Sequence, residues 1–176
     1  MNPHLAATCQ ALGISTESLA ARALPEYEEA QFLEVAETRL DGSAHLLVPA
    51  AGAAWKAMKA TAEGDGVKLF IVSAFRSIER QVGIVQRKLD AGLDIDEILS
   101  VCAPPGFSEH HSGRAVDIST PGTLALETVF ETTPAFAWLT KRAFDFDFYL
   151  SYPKGNPWCY QYEPWHWCYC NRNFMA

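Results

Sequence analysis

The chain has 176 residues, of which 49% are hydrophobic and 20% charged, with 14 Lys and Arg residues against 21 Asp and Glu residues. This length and composition predict one well-cored globular domain and exclude the low hydrophobicity of disordered chains. The net charge of −7, with no basic run that could neutralise a series of phosphates, excludes nucleic acid as an expected partner.

The N-terminal stretch and the cysteines bear on the cellular location. The first 30 residues lack the basic start and the apolar block of a secretory signal, and no stretch reaches the ~18 apolar residues of a membrane span. The five cysteines are odd in number and irregularly spaced, which favours reduced thiols over a disulfide framework. We expect a protein without a membrane span, cytoplasmic as given, or periplasmic or cell-wall associated if an upstream signal has been removed.

The first predicted elements are a short helix and a β-hairpin. Ser15 or Thr16 can cap a helix that runs to about Leu24. Segments near residues 32–38 and 44–48 flank the turn sequence LDGS, which predicts two paired strands.

A helix, a strand and a second helix are predicted next. Apolar residues at helical spacing around Trp55 and Met58 predict a helix that stops at EGDG. The run VKLFIVSAF has the length and β-branching of a buried strand, which we expect to be central in the sheet. Apolar spacing from Ile78 to Leu89 predicts an amphipathic helix directly afterwards, so Arg76 is expected at a strand-to-helix junction.

The C-terminal half combines an irregular stretch with further strands. The stretch APPGFSEHHSG is too rich in Pro, Gly and Ser for regular structure, whereas RAVDIST can form a short strand. Thr133 and Pro134 predict a helix that runs to about Ala143, and alternating residues at 144–152 predict a strand.

The last predicted strand has two different faces. Trp165, Trp167 and Tyr169 are expected on one face, which leaves His166 on the other. Together the elements predict a single-domain α+β fold in which helices flank a small, mainly antiparallel sheet.

Two histidines and an aspartate predict a metal site. His110 lies in SEHHSGRAVD, and seven residues later Asp117 occurs in an apolar strand, where an unpaired carboxylate is costly to bury. With His166, they form a set of two imidazoles and one carboxylate. This set is common at catalytic zinc sites because it leaves a fourth coordination position open.

A candidate base and a candidate cation accompany this set. Glu163 lies three residues before His166 and can take a proton from a water molecule. A regular strand would point these two side chains to opposite faces, so we predict an irregular strand start at Pro164 that lets both face the metal. Arg76 is a candidate for stabilising an oxyanion or binding a substrate carboxylate.

Three motifs match one known family in order and spacing. They are SAFRS at 73–77, followed by Gln81, then SEHHSGRAVD at 108–117 and EPWHW at 163–167. With these motifs, the chain resembles the VanY-type zinc D-alanyl-D-alanine carboxypeptidases, relatives of the VanX dipeptidases, over roughly residues 45–170. The family pattern S-x-H-x-x-G-x-A-x-D is complete in the second motif.

The resemblance implies a role for each matched metal-site residue. His110, Asp117 and His166 would bind Zn²⁺, and Glu163 would be the catalytic base that activates water together with the metal. The reaction implied is hydrolysis of the peptide bond before a C-terminal D-alanine in peptidoglycan-type peptides.

The resemblance also implies residues that bind the substrate. Arg76 would orient the scissile carbonyl or the terminal carboxylate and stabilise the tetrahedral intermediate, while Ser108 and Gln81 would lie near the C-terminal D-alanine. Many relatives read Gly-Tyr-Arg-Ser where this chain has Ala74 and Phe75 before Arg76, so a tyrosine hydroxyl beside the site is missing.

The resemblance further suggests a domain division and a partner. We interpret residues 1–44 as an N-terminal extension packed on the core, and residues 45–176 as a VanY-like zinc carboxypeptidase domain. The expected partner is a peptidoglycan stem peptide, or a small peptide ending in a D-amino acid, bound by a monomer.

Several alternatives stay open at this point. The same scaffold serves an L,D-carboxypeptidase, a D,D-dipeptidase or a cell-wall endopeptidase, and a scaffold of this kind can also be a non-catalytic zinc-binding relative. Arg76 has an alternative role as a surface ion-pair partner of Glu79 or Asp90.

Three further residues near the motifs have open roles. Cys168 and Cys170 share a predicted face with His166, so either can ligate zinc in principle, although a buried cysteine is usually a small apolar residue. His111 is interpreted as a neighbour of the ligand that faces the substrate.

Overall fold

A computed structural model describes residues 3–39 and 41–171. The helices within these ranges are α1 (Pro3–Ala11), α2 (Thr16–Ala21), α3 (Pro49–Gly64), α4 (Ile78–Asp90), α5 (Ile95–Val101) and α6 (Pro134–Arg142). The strands are β1 (Glu34–Thr38), β2 (Ala44–Leu47), β3 (Phe70–Ser73), β4 (Ala115–Ser119), β5 (Phe148–Leu150) and β6 (His166–Tyr169). Short 3-10 helices lie at Glu109–Ser112, Thr128–Thr132 and Ala143–Phe146.

The described strands form two antiparallel sheets. Strands β1 and β2 pair as a hairpin, and the larger sheet has the strand order β3-β4-β6-β5. Each neighbouring pair in the larger sheet is antiparallel. The expected α+β fold with a mainly antiparallel sheet and flanking helices is therefore confirmed.

Among the described residues, the buried apolar side chains form two clusters. One cluster joins α3 and α6 to the sheet through residues such as Trp55, Ile118 and Trp167. The other joins α1 and α2 to α4 and α5, with Cys9 and Val85 fully buried. Side chains on successive strand residues point to opposite faces, so Val116 and Ile118 reach the first cluster while Asp117 between them does not.

Several predicted elements are confirmed. The hairpin is present, and α3 and α4 occupy the predicted positions. Thr133 caps α6, because its side-chain oxygen accepts a hydrogen bond from the Phe136 amide at 3.1 Å, and Pro134 is the first helical residue. Ser15 likewise caps α2, which ends at Ala21, before the predicted end.

The prediction that VKLFIVSAF is a central strand was wrong. The run yields only β3, at the edge of the sheet, and β4 and β6 occupy the centre. The β1–β2 hairpin covers the free edge of β3: the Ile71 amide donates to Glu37 Oε1 at 3.1 Å, and Arg39 donates to the Val72 carbonyl. Because the hairpin shields this edge of the sheet from solvent, an apolar sequence is compatible with an edge strand.

The predicted strand at 144–152 was also largely wrong. Residues 143–146 form a 3-10 helix that continues from α6, and the chain turns at Asp147, whose φ is 60°. The alternation did not mark two faces of a strand, because Phe144 is 49% exposed while Phe146 stacks near Trp138. Only β5 remains of this prediction.

Among the described residues, the helices α1 and α5 and the three 3-10 helices were not predicted. α1 begins at Pro3, and α5 is short, although Asp94 caps it by accepting from the Asp96 amide at 2.8 Å. The stretch expected to be irregular contains the 3-10 helix Glu109–Ser112, which Gly113 follows as the C-cap residue. Gly113 has a φ of 64°, and a Cβ there would lie 2.8 Å from Leu33 Cδ2, so both conformation and space favour glycine.

Candidate metal centre

Strand register brings the predicted ligands together. Asp117 of β4 pairs with Ser73 of β3 on one side and with His166 of β6 on the other. Residues directly opposite each other on neighbouring antiparallel strands point to the same face. Asp117 and His166 therefore share a face, and the 3-10 helix that follows Ser108 adds His110 to it.

The three side chains meet at one point. His110 Nε2 lies 3.2 Å from Asp117 Oδ2, and His166 Nδ1 lies 3.0 Å from Asp117 Oδ1. One donor atom from each residue lies within 4.8 Å of the others, and all three residues are buried. The structure thus groups the three residues that the sequence analysis proposed as zinc ligands.

The chemistry of this cluster fits a divalent cation. Burial lowers the pKa of His110, which keeps its imidazole neutral, the form that binds metals. The carboxylates of Asp117, Glu109 and Glu163 lie 3.0, 2.9 and 3.8 Å from His166. Burial alone would lower the pKa of His166, but hydrogen bonds to Asp117 and Glu109 raise it to about 10. The carboxylates of Asp117 and Glu163 lie on the Nδ1 side of the ring, where their negative charge would attract a bound cation.

Glu163 reaches the cluster through a tight turn. The His166 amide donates to the Glu163 carbonyl at 3.1 Å, and Pro164 occupies the position after Glu163, where β-turns favour proline. β6 begins only at His166, so a turn, rather than an irregular strand, brings both side chains together. Burial raises the pKa of Glu163 to about 7, which suits a group that accepts and returns a proton near neutral pH.

Arg76 lies between β3 and α4, as predicted, and its guanidinium is held at several points. Its Nη1 donates to Gln81 Oε1 at 2.9 Å, and its Nη2 donates to Ser73 Oγ at 3.1 Å. Nη2 also lies 3.9 Å from Asp117 Oδ2. These contacts turn the guanidinium toward the cluster, which favours the substrate-binding role over the alternative of a surface ion pair.

The two other predicted substrate residues lie in different places. Ser108 lines the cleft beside the cluster. Gln81 is fully buried, and its Nε2 donates to the Ala103 carbonyl at 2.6 Å while its Oε1 accepts from Arg76. Direct contact between Gln81 and substrate stays a prediction, and the observed contacts give Gln81 a role in holding Arg76.

The interpretation of His111 as facing the substrate was wrong. Its ring is fully buried, with Nδ1 2.6 Å from the Arg76 carbonyl and Nε2 accepting from the Gly106 amide at 3.1 Å. His111 therefore ties two loops together behind the site. Among the described residues, Cys168 and Cys170 also lie outside the group whose donor atoms meet.

Two residues of the site were missed by the sequence analysis. Glu109 accepts a hydrogen bond from His166 Nε2, and the Tyr152 ring lies 4.7 Å from the His166 ring, centroid to centroid. Glu109 carried a signal, because it is a charged residue directly beside His110 in the second motif. Tyr152 carried none, since its position follows from how the β5–β6 connection folds.

A cleft of about 460 Å³ opens above the cluster. Arg76, Ser108 and the three clustered residues line its floor together with Glu163. Its remaining walls are largely aromatic and apolar, with several charged or polar residues, and include Ile84, Lys88, Leu126, Glu127, Tyr160, Tyr162 and Trp165. A mostly apolar cleft with a few convergent polar groups is the usual form of a small-ligand site.

Within the described ranges, no helix is both long and apolar enough to cross a membrane.

Comparison with proteins of known sequence links this site to one family. The family model described as VanY, D-alanyl-D-alanine carboxypeptidase, matches residues 44–172. YodJ of Bacillus subtilis (strain 168), a putative carboxypeptidase by name, is 33% identical over 122 residues, which cover 68% of this chain and 44% of that protein. A D-alanyl-D-alanine carboxypeptidase of Enterococcus faecium is 30% identical over 104 residues, which cover 57% of this chain and 30% of that protein. The chain thus spans less than half the length of these curated relatives.

Solved structures show the same fold. The LD-carboxypeptidase LdcB superposes with a TM-score of 0.75 at 28% identity, covering 85% of this chain and 73% of LdcB. A variant of the vancomycin-resistance D,D-pentapeptidase VanY, in complex with Zn(II), has a TM-score of 0.63 at 25% identity, covering 83% and 84% of the two chains. VanYB in complex with D-Ala-D-Ala has a TM-score of 0.62 at 26% identity, covering 82% of each chain. The chain belongs to the VanY D-alanyl-D-alanine carboxypeptidase family.

Proposed function

We propose that the protein is a zinc-dependent carboxypeptidase that removes a C-terminal D-alanine from peptidoglycan-type peptides. The observation that carries this proposal is the group of His110, Asp117 and His166 on the floor of an open cleft, with Glu163 and Arg76 beside it. The zinc complex of the VanY variant and the D-Ala-D-Ala complex of VanYB support the metal and the substrate class.

His110, Asp117 and His166 would hold the zinc through two nitrogen atoms and one oxygen atom. The chemistry that zinc supplies when bound to such a set is Lewis-acid activation of a water molecule and of the substrate carbonyl. Glu163 accepts the proton of the attacking water and returns it to the leaving amine, as its raised pKa permits.

Arg76 binds the negative charge of the substrate. Its guanidinium, held by Ser73 and Gln81, meets either the terminal carboxylate or the developing oxyanion. Tyr152 and Trp165 line the same cleft, and their rings limit the access of bulk water to the cluster.

The proposal is tested by assaying the zinc-loaded protein on defined stem peptides. We expect D-alanine to be released from at least one of a set of tri-, tetra- and pentapeptides, and we expect a chelator to abolish the release. Release from a peptide ending in D-Ala-D-Ala identifies a D,D-carboxypeptidase. Release only from a tetrapeptide identifies an L,D-carboxypeptidase, the class to which LdcB belongs. Zinc binding without any hydrolysis would favour the non-catalytic relative.

Replacing Arg76 with lysine is expected to lower kcat/KM by about 10²-fold. Lysine keeps the positive charge. Its single ammonium group cannot donate hydrogen bonds to Ser73 and Gln81 and also bind a carboxylate through two parallel N–H groups. The control is Arg87→Lys on the exposed face of α4, which should leave kcat/KM unchanged. Equal kcat/KM of the Arg76 variant and the wild type would contradict a role that depends on the planar guanidinium.

A further inference from the structure

The carboxylate of Glu109 lies against the side of the His166 ring that faces away from Asp117. Oε2 of Glu109 accepts from His166 Nε2 at 2.9 Å, while Nδ1 of the same ring faces Asp117 Oδ1 at 3.0 Å. Glu109 is only 8% exposed. The ring therefore lies between two carboxylates, and each carboxylate contacts a different nitrogen atom of the ring.

Two hydroxyl groups hold the Glu109 carboxylate in this position. Ser151 Oγ donates to Oε2 at 2.6 Å, and the Tyr27 hydroxyl donates to Oε1 at 3.3 Å. Tyr27 is itself anchored, because its amide donates to the Gly106 carbonyl at 2.8 Å. Tyr27 lies outside the residues matched by the family model.

A histidine that binds a metal through one ring nitrogen must carry its proton on the other. A hydrogen-bond acceptor at that other nitrogen selects the tautomer and fixes the direction of the ring. In this chain the acceptor is Glu109, which would hold the proton on Nε2 and leave the lone pair of Nδ1 for a metal on the Asp117 side of the ring. The opposite tautomer would place a proton where the metal must bind.

We propose that Glu109 is the positioning residue that aims His166 at the zinc, and that Tyr27 of the N-terminal segment and Ser151 hold Glu109 in place. The inference rests on the proposed zinc site. It adds that a segment outside the family-matched region contributes a hydrogen bond to the support of this site.

The test measures the zinc affinity of purified, metal-free variants by competition with a chromophoric chelator, without any activity assay. Removal of residues that support a metal ligand costs roughly 10- to 100-fold in affinity, so we expect Glu109→Ala to raise the zinc Kd by about that factor. Glu109→Gln should stay within a few-fold of wild type, because its amide oxygen accepts the same bond. Tyr27→Phe should weaken binding about 2- to 10-fold, because it removes the longer of the two hydrogen bonds that hold the Glu109 carboxylate.

A matched control is Glu97→Gln, an exposed carboxylate on α5 that should not change the zinc Kd. If the wild type itself binds no zinc, the proposed function fails. If the wild type binds zinc and folded Glu109→Ala binds within twofold of it, the positioning role is overturned. Equal losses in the Gln and Ala variants would also overturn it, because a retained acceptor would then have no effect.

A second variant covers the case in which Glu109→Ala does not fold, as far-UV circular dichroism would show. The double variant Tyr27→Phe and Ser151→Ala keeps the Glu109 carboxylate but removes both hydroxyls that hold it. We expect it to bind zinc more weakly than either single variant. An unchanged zinc Kd would overturn the inference.

Discussion

Replacing Glu163 with glutamine is expected to lower kcat by about 10³-fold while the protein still binds zinc. Glutamine has nearly the same size and fills the same buried turn, but it cannot accept a proton from water. Glu163 lies 3.8 Å from His166 Nδ1 and is not among the three residues whose donor atoms meet. The expected result is therefore a separation of catalysis from metal binding, measured as kcat on the best stem peptide and as zinc content.

The matched control for this prediction is Glu97→Gln, which makes the same chemical change at an exposed position. It should leave both kcat and zinc content at wild-type values. The assignment of the base would be contradicted by a Glu163→Gln variant that retains more than about a tenth of the wild-type kcat, since general-base catalysis typically contributes about 10²-fold or more.

Replacing Asp117 with asparagine is expected to weaken zinc binding by more than about 10²-fold, beyond the loss typical of supporting residues, and to reduce hydrolysis to background. Asp117 contacts both candidate histidine ligands, at 3.2 and 3.0 Å. Asparagine keeps the shape of the side chain but loses the negative charge that a cation requires. The measurements are chelator competition for zinc and kcat/KM at saturating zinc.

The fold of this variant should persist, because the pairing of β4 with β3 and β6 uses backbone groups. Circular dichroism of the metal-free variant checks this point. Asp96→Asn, an exposed substitution on α5, is the control and should bind zinc like the wild type. Wild-type zinc affinity in the Asp117 variant would remove Asp117 from the ligand set.

The metal-site residues were predictable because each occurs in a short motif whose chemistry is unusual for its surroundings. Asp117 is a carboxylate within an apolar strand, and Glu163 and His166 lie close together in a stretch of aromatic residues. The helices α3, α4 and α6 were predictable for a different reason. Their apolar spacing and their caps are local signals that do not depend on the rest of the chain.

Other features depended on neighbours that are distant in sequence. β3 was predicted to be central because it is apolar. It lies at the edge of the sheet instead, where Glu37 and Arg39 of the hairpin form hydrogen bonds with its free backbone groups. Phe144 and Phe146 alternated like strand residues, although a turn at Asp147 places them on a 3-10 helix. In both cases a local pattern was compatible with two structures, and tertiary packing selected one of them.

The sequence by itself determined the family, the α+β class and the identity of the residues proposed to bind metal and substrate, because these follow from motifs of a few residues. Only the tertiary structure decided which groups support them. Strand register aligns Asp117 with His166, and Tyr27 reaches Glu109 across 82 positions of sequence. Such contacts form between segments that each fold by local rules, so their hydrogen bonds leave no periodic signal in the chain.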